Sequence, residues 1–117
     1  MQSVIEFMNN NLQQTISLNE LAGVAHLSPS RFSHVFKAQT GVSPGEYFIR
    51  LKMDRAANLL TTSLISIKEI MALVGYDTRS NFVGQFRKYF DCAPSEYRKR
   101  HVLRNRRSSK TPFIKVA

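Results

Sequence analysis

A single cysteine, Cys92, in a chain of 117 residues excludes an internal disulfide and any cysteine-based zinc framework. The three histidines, His26, His34 and His101, are scattered. There is no His/Cys/Asp group at metal spacing, no glycine loop of the kind that cradles phosphate, and no nucleophile next to a base. These absences speak against an enzyme and leave no cofactor to expect. No apolar run approaches the roughly 20 residues that a membrane span needs. Met1 to Met8 also lacks the basic stretch that opens a signal peptide, so a cytoplasmic chain without a membrane partner is expected.

Acidic residues are scarce too, with 8 Asp and Glu against 17 Lys and Arg and a formal net charge of +9. The imbalance is confined to one part of the chain. Residues 1–48 hold Arg31 and Lys37 against Glu6, Glu20 and Glu46, whereas residues 49–117 hold fifteen basic groups against five acidic ones. Seven of the basic groups, Arg98, Lys99, Arg100, Arg104, Arg106, Arg107 and Lys110, form a terminal cluster. Such a tail is either a solvated end or an arm that rests on phosphates. At 43% hydrophobic composition the chain can build one compact domain, or two small units that share a linker, and a second large domain is excluded.

What is present is a repeat. Phe32, Phe36, Pro44, Glu46 and Tyr47 recur as Phe82, Phe86, Pro94, Glu96 and Tyr97, fifty residues on. Before each set lies a short amphipathic stretch opened by a serine, Ser17 to Ala25 and Ser66 to Val74. In these stretches Leu18 pairs with Ile67, and Leu21 with Ile70, at an offset of 49, so one residue has been gained in the second turn.

Helix starts are written in capping chemistry. Ser17-Leu-Asn-Glu20 and Ser66-Ile-Lys-Glu69 are capping boxes, and Ser28-Pro29 and Ser43-Pro44 place a serine cap before a first-turn proline. Val4, Ile5, Met8 and Leu12 predict a helix that begins almost at once and ends at Thr15 to Ser17. That abrupt start is what a fragment of a longer chain would show. In the next short helix Leu18, Leu21, Ala22 and Val24 are expected to pack inward. Gly41 stops the helix after it. The stretch to about Thr62 reads as a connecting helix, with Tyr47, Leu51, Ala56, Leu59 and Leu60 for burial and Arg50, Lys52 and Arg55 for solvent. Helices over Arg79 to Phe90 and from Pro94 onward complete an all-α chain of about seven helices. The expected organisation is a first helix-turn-helix unit over 1–45, a linker helix over 46–62, a second unit over 63–103 and a basic, flexible tail over 104–117.

A 100° advance per residue predicts what each longer helix presents. In the first copy Phe32, Val35, Phe36 and Gln39 face the core, while Ser30, Ser33, His34 and Lys37 face out, with Arg31 on the flank. Short hydroxyls, an imidazole and a cation within adjacent turns suit base edges and phosphates in a major groove. In the second copy Phe82, Gln85, Phe86 and Tyr89 face in, and Ser80, Val83, Gly84 and Arg87 face out between Asn81 and Lys88, with Arg79 at the start. This surface is chemically poorer, with Arg79 and Asn81 its best base candidates. The second copy is therefore expected to lean on phosphates and DNA shape.

With these residues in view, the chain resembles the DNA-binding domain of the AraC/XylS family of bacterial transcription regulators over about residues 4–100. The likeness is carried by Leu27-Ser-Pro-Ser-Arg-Phe-Ser-His-Val-Phe-Lys37, by Ile67-Lys-Glu-Ile-Met-Ala-Leu-Val-Gly-Tyr76, by Asn81-Phe-Val-Gly-Gln-Phe-Arg-Lys-Tyr-Phe90 and by Pro94-Ser-Glu-Tyr-Arg98. The resemblance implies two helix-turn-helix subdomains whose recognition helices enter successive major grooves of double-stranded DNA. By position it puts base reading on Ser30, Ser33, His34, Arg79, Ser80, Asn81 and Gly84. Phosphate contact falls to Lys37, Arg87 and Lys88, joined by Arg31 from the flank. Gly84 departs from the longer polar or basic side chain that many members carry there, and Met71-Ala72 departs from a small pair.

A linker helix of roughly 17 residues, about 25 Å, falls short of the 34 to 36 Å repeat of major grooves on straight DNA. Either the DNA bends toward the protein or one helix docks shallowly. Family members often carry an effector or dimerisation domain before this one, for which the sequence has no room. The chain is thus either an excised DNA-binding domain, monomeric by itself, or a small activator that binds an asymmetric site. The alternative reading is a module that contacts RNA polymerase or another regulator without specific DNA readout.

Overall fold

The structure, a computed structural model, describes residues 1–107 and the side chains as far as His101. Seven helices follow one another: α1 (Gln2–Asn10), α2 (Leu18–Val24), α3 (Pro29–Thr40), α4 (Pro44–Thr62), α5 (Ile67–Leu73), α6 (Arg79–Phe90) and α7 (Pro94–Arg107). Among the described residues there is no strand, and the all-α arrangement with two helix-turn-helix units holds. The flexible tail expected over 104–117 lies beyond the described side chains.

The serine signals act where the sequence places them. Ser17 Oγ accepts from the Glu20 N–H at 3.1 Å while the Glu20 carboxylate accepts from the Ser17 N–H at 3.0 Å. Ser66 and Glu69 repeat the reciprocal pair at the start of α5. Ser28 and Ser43 accept from the N–H groups of Arg31 and Glu46, each at 3.2 Å, with proline in the first turn. These bonds satisfy donors that a helix start leaves free, each cap contributing about 1 kcal/mol.

Two aromatic-rich cores form, one per unit. The first gathers Val4, Met8, Leu21, Ala22, Phe32, Phe36 and Phe48, and the second gathers Met53, Ala56, Ala57, Leu60, Ile70, Met71, Val74, Phe82 and Phe86. The repeat extends to ring geometry. Phe36 meets Tyr47 edge-on at 5.3 Å, and fifty residues later Phe86 meets Tyr97 edge-on at 5.3 Å. Full burial of each ring stabilises by about 1.5–3 kcal/mol, so a few such residues outweigh the caps.

Helix α4 serves both units. Its first half closes the first core through Phe48 and its second half opens the next through Met53, Ala56, Ala57 and Leu60. In that second role it repeats α1, with buried Val4 and Met8 matched at an offset of 49 by buried Met53 and Ala57. The helix has 19 residues, longer than the 17 expected.

Three expectations about side chains change. Lys52, read as solvent-facing, is 8% exposed. It sits where α4 passes from one core to the other, on the side of the helix that the segment after α1 and the end of α5 cover, while Arg50, Asp54 and Arg55 stay exposed. Leu18 stays 41% exposed, because a seven-residue helix brings only one stripe inward, here Leu21 and Ala22. Gln39 is exposed in the last turn of α3, which outlasts the shorter α2. α1 also ends earlier than expected, at Asn10. Asn11 leaves the helical region, its side-chain amide donating to the Phe7 carbonyl at 2.7 Å, and the chain after it runs in turns over Asn11–Gln14.

The gained residue is now located. The Leu27 N–H donates to the Ala22 carbonyl and the Tyr76 N–H to that of Met71, at 3.0 and 2.9 Å, so the turns still match at 49. The caps Ser28 and Thr78 match at 50, which makes Asp77 the insertion. Both turns pass through left-handed backbone, at His26 (φ 59°) in the first and at Gly75 (φ 79°) in the second.

The left-handed glycines differ in what surrounds them. At Gly41 (φ 87°) an added Cβ meets nothing within 4 Å, whereas at Gly75 it would lie 2.7 Å from the Gln13 carbonyl oxygen and 2.9 Å from Lys52 Nζ. Gly41→Ala is expected to cost about 1–2 kcal/mol, from backbone strain alone. Gly75→Ala is expected to cost about 3 kcal/mol or more, because overpacking adds to strain. Urea unfolding of the two variants checks the order, and equal losses would remove the close approach at Gly75.

Candidate nucleic-acid interface

Helix α3 presents the polar face that the 100° construction assigns to it. Phe32 and Phe36 are fully buried on one side, while Ser30, Arg31, His34 and Lys37 are exposed and Ser33 is partly so. Ser30, Ser33, His34 and Lys37 come together around one shallow depression of about 530 Å³. Ala38 completes its lining. The sequence reading missed this residue because a small apolar side chain carries no chemical signal of its own. Its place one turn beyond His34 was the available clue.

Helix α6 repeats the scaffold with different chemistry. Phe82 and Phe86 are buried, Gln85, Val83 and Tyr89 are partly covered, and Arg79, Ser80, Asn81, Gly84, Arg87 and Lys88 are exposed. Thr78 Oγ1 accepts from the Asn81 N–H at 3.4 Å, fixing the first turn on which Arg79, Ser80 and Asn81 stand. The partial positive charge of a helix start favours anions. Lys37 in the last turn of α3, and Arg87 and Lys88 in the last turn of α6, add fixed cations at the other ends. Every residue assigned to base or phosphate contact is therefore at the surface of α3 or α6.

The wider basic cluster is partly structural. Arg98 is half-buried and donates from Nε to the Leu60 carbonyl at 3.0 Å and from Nη2 to the Ser63 carbonyl at 3.2 Å. It caps the end of α4 and is not part of a free arm. Arg100 pairs with Glu96 at 2.9 Å on an exposed face, and Lys99 is exposed. The side chains of Arg104, Arg106 and Arg107, and all of Lys110, lie outside the described residues.

Among the described residues no group of three His, Cys, Asp or Glu side chains is placed to hold a metal ion, and no helix is long and apolar enough to cross a membrane. His101 stacks on Tyr97 with ring centres 4.1 Å apart, and His26 serves the first turn.

Comparison with known proteins points the same way. A helix-turn-helix domain model matches residues 21–100. The probable transcriptional regulator LumQ of Photobacterium leiognathi is 32% identical over 91 residues, covering 78% of this chain and 37% of that protein. The lactose operon transcription activator of Staphylococcus xylosus is 31% identical over 105 residues, covering 90% of this chain and 38% of that protein. The chain thus spans well under half the length of the curated relatives it matches. Among solved structures, the DNA-binding domain of the global transcriptional factor AdpA, in complex with a target DNA, superposes with a TM-score of 0.84 at 26% identity, over 90% of this chain and 95% of that one. A transcriptional regulator with an AraC-type DNA-binding domain from Chromobacterium violaceum gives a TM-score of 0.80 at 25% identity, over 86% of this chain and 89% of that one.

Gly84 stands in mid-helix on the outer face of α6, and an added Cβ there meets nothing within 4 Å. Gly84→Ala is therefore expected to stabilise the free protein by about 0.5–1 kcal/mol through helix propensity. A thermal melt checks this, and a destabilised variant would show that the position is not open.

Proposed function

The chain belongs to the AraC/XylS family of helix-turn-helix proteins, and we propose that it binds double-stranded DNA sequence-specifically as the DNA-reading part of a transcription regulator. The observation that supports this reading most is the gathering of Ser30, Ser33, His34 and Lys37 around one depression on the outer side of α3. Two hydroxyls and an imidazole side by side match the donor and acceptor pattern of base edges in a major groove, with a cation one turn further for a phosphate.

The two recognition helices enter successive major grooves and divide the work. α3 reads bases through Ser30, Ser33 and His34, with Arg31 and Lys37 on phosphates. α6 reads through Arg79, Ser80 and Asn81 on its first turn. Gly84 lets its backbone approach closely, and Arg87 and Lys88 hold the sugar-phosphate chain. Because the two faces differ, a single copy recognises an asymmetric site. The 19 residues of α4 span about 28 Å, less than the 34 to 36 Å groove repeat. The DNA accordingly bends toward the protein or admits one helix less deeply.

Selection from random duplexes, followed by sequencing, tests the reading. The expected result is a bipartite, asymmetric site with more information in the half that meets α3. Recovery of no sequence preference would overturn it. At the selected site His34→Ala is expected to cost about 1–3 kcal/mol and to relax preference at one position. Equal weakening on cognate and random DNA would remove His34 from base reading. Lys37→Ala is expected to weaken binding to all sequences and to lower the salt slope by about one. An unchanged slope would take Lys37 off the phosphates.

A further inference from the structure

The Lys52 ammonium joins backbone from both units at one point. It donates to the carbonyls of Leu12 and Gln14, which follow α1, and to the Val74 carbonyl at the end of α5, 2.9 Å away. It also lies 4.4 Å above the Phe48 ring of the first core and 6.0 Å from the Tyr76 ring that packs on the second. Close beside it, Gly75 approaches the Gln13 carbonyl at a distance that no side chain would allow.

Stability alone does not account for this arrangement. Taking a charge out of water is costly, and burial holds the Lys52 ammonium below its usual lysine range. An apolar residue of similar volume commonly does as well or better in such a place. What apolar packing lacks is direction, since its contacts can slide. Three carbonyls converging on one ammonium set both the distance and the angle at which the two units meet.

We propose that Lys52 is a positioning residue that fixes the separation and twist of α3 and α6, and so sets the spacing between DNA half-sites that the protein accepts. This rests on the DNA reading above. One base pair inserted between the half-sites shifts the second by about 3.4 Å and turns it by about 35°. A rigid junction cannot follow that change, whereas a loosened one can.

The test measures affinity of the intact chain for the selected duplex and for versions with one or two base pairs added or removed between the halves. The natural protein is expected to lose about tenfold or more at each single-pair change. Lys52→Met keeps the volume and removes the donors. Its affinity at the original spacing is expected to fall, and its loss on changing the spacing to shrink to about threefold or less. A variant that merely populated its folded state less would weaken on every duplex by the same factor, and that parallel result would overturn the inference. Should Lys52→Met lose its helical circular dichroism, Lys52→Gln, whose two N–H donors on a shorter arm cannot serve three carbonyls, is put through the same series with the same outcomes. A natural protein that tolerates every spacing would overturn the role of Lys52 and leave DNA binding intact. One that binds no duplex selectively would overturn the DNA reading itself.

Discussion

One helix belongs to two cores, and that sharing constrains the rest of the molecule. The first unit uses the start of α4 as its closing helix, much as the second uses α7. The second unit uses the remainder of α4 as its opening helix, as the first uses α1. At the crossover the inner side of α4 is covered by segments of both units, and the residue there is a lysine. Its charge is tolerated because two chain segments end beside it with carbonyls to offer, Leu12 and Gln14 from one unit and Val74 from the other. The Val74 carbonyl belongs to the C-cap of α5, at the electronegative end of that helix, and those of Leu12 and Gln14 belong to the turns that follow α1.

Around this junction the two units keep the same mechanics while their surfaces diverge. Each buries two phenylalanines one turn apart on its longer helix and packs the second edge-on against a tyrosine from the helix that follows. The outer positions escape that constraint because most of them are exposed. His34 and Gly84 occupy equivalent places fifty residues apart, one lining a shallow depression and the other leaving open space. The left-handed positions are also divided unequally. The turn before the longer helix uses His26 in the first unit and Gly75 in the second, and the end of that helix uses Gly41 and then Asp91. Only Gly75 is obliged to be glycine by a neighbour, since the Gln13 backbone presses against it.

Charge is likewise divided by position. Arg98 and Lys52 both donate to carbonyls near helix ends and hold elements together. Lys37, Arg87 and Lys88 have exposed side chains on the two longer helices. A net charge of +9 thus overstates the cationic surface offered to a polyanion and understates how much of it is internal bracing.

The helices, their starts and the doubling of the unit were legible in the sequence because they rest on local chemistry. A serine three residues before a glutamate, a proline after a cap and apolar residues at helical spacing act within a turn or two. The outward faces of α3 and α6 were legible for the same reason, since a helix fixes the relative directions of its own side chains. What local rules could not determine was which surfaces would be covered by distant segments. Lys52 and Arg98 each bond to backbone more than twenty residues away, Leu18 and Gln39 stay exposed because their neighbours end short, and α1 stops at Asn10 to turn its following carbonyls toward α4. The sequence by itself determined two capped, aromatic-centred helical units. Tertiary structure alone decided how they are joined, because burial and carbonyl direction at the junction depend on three segments meeting in space.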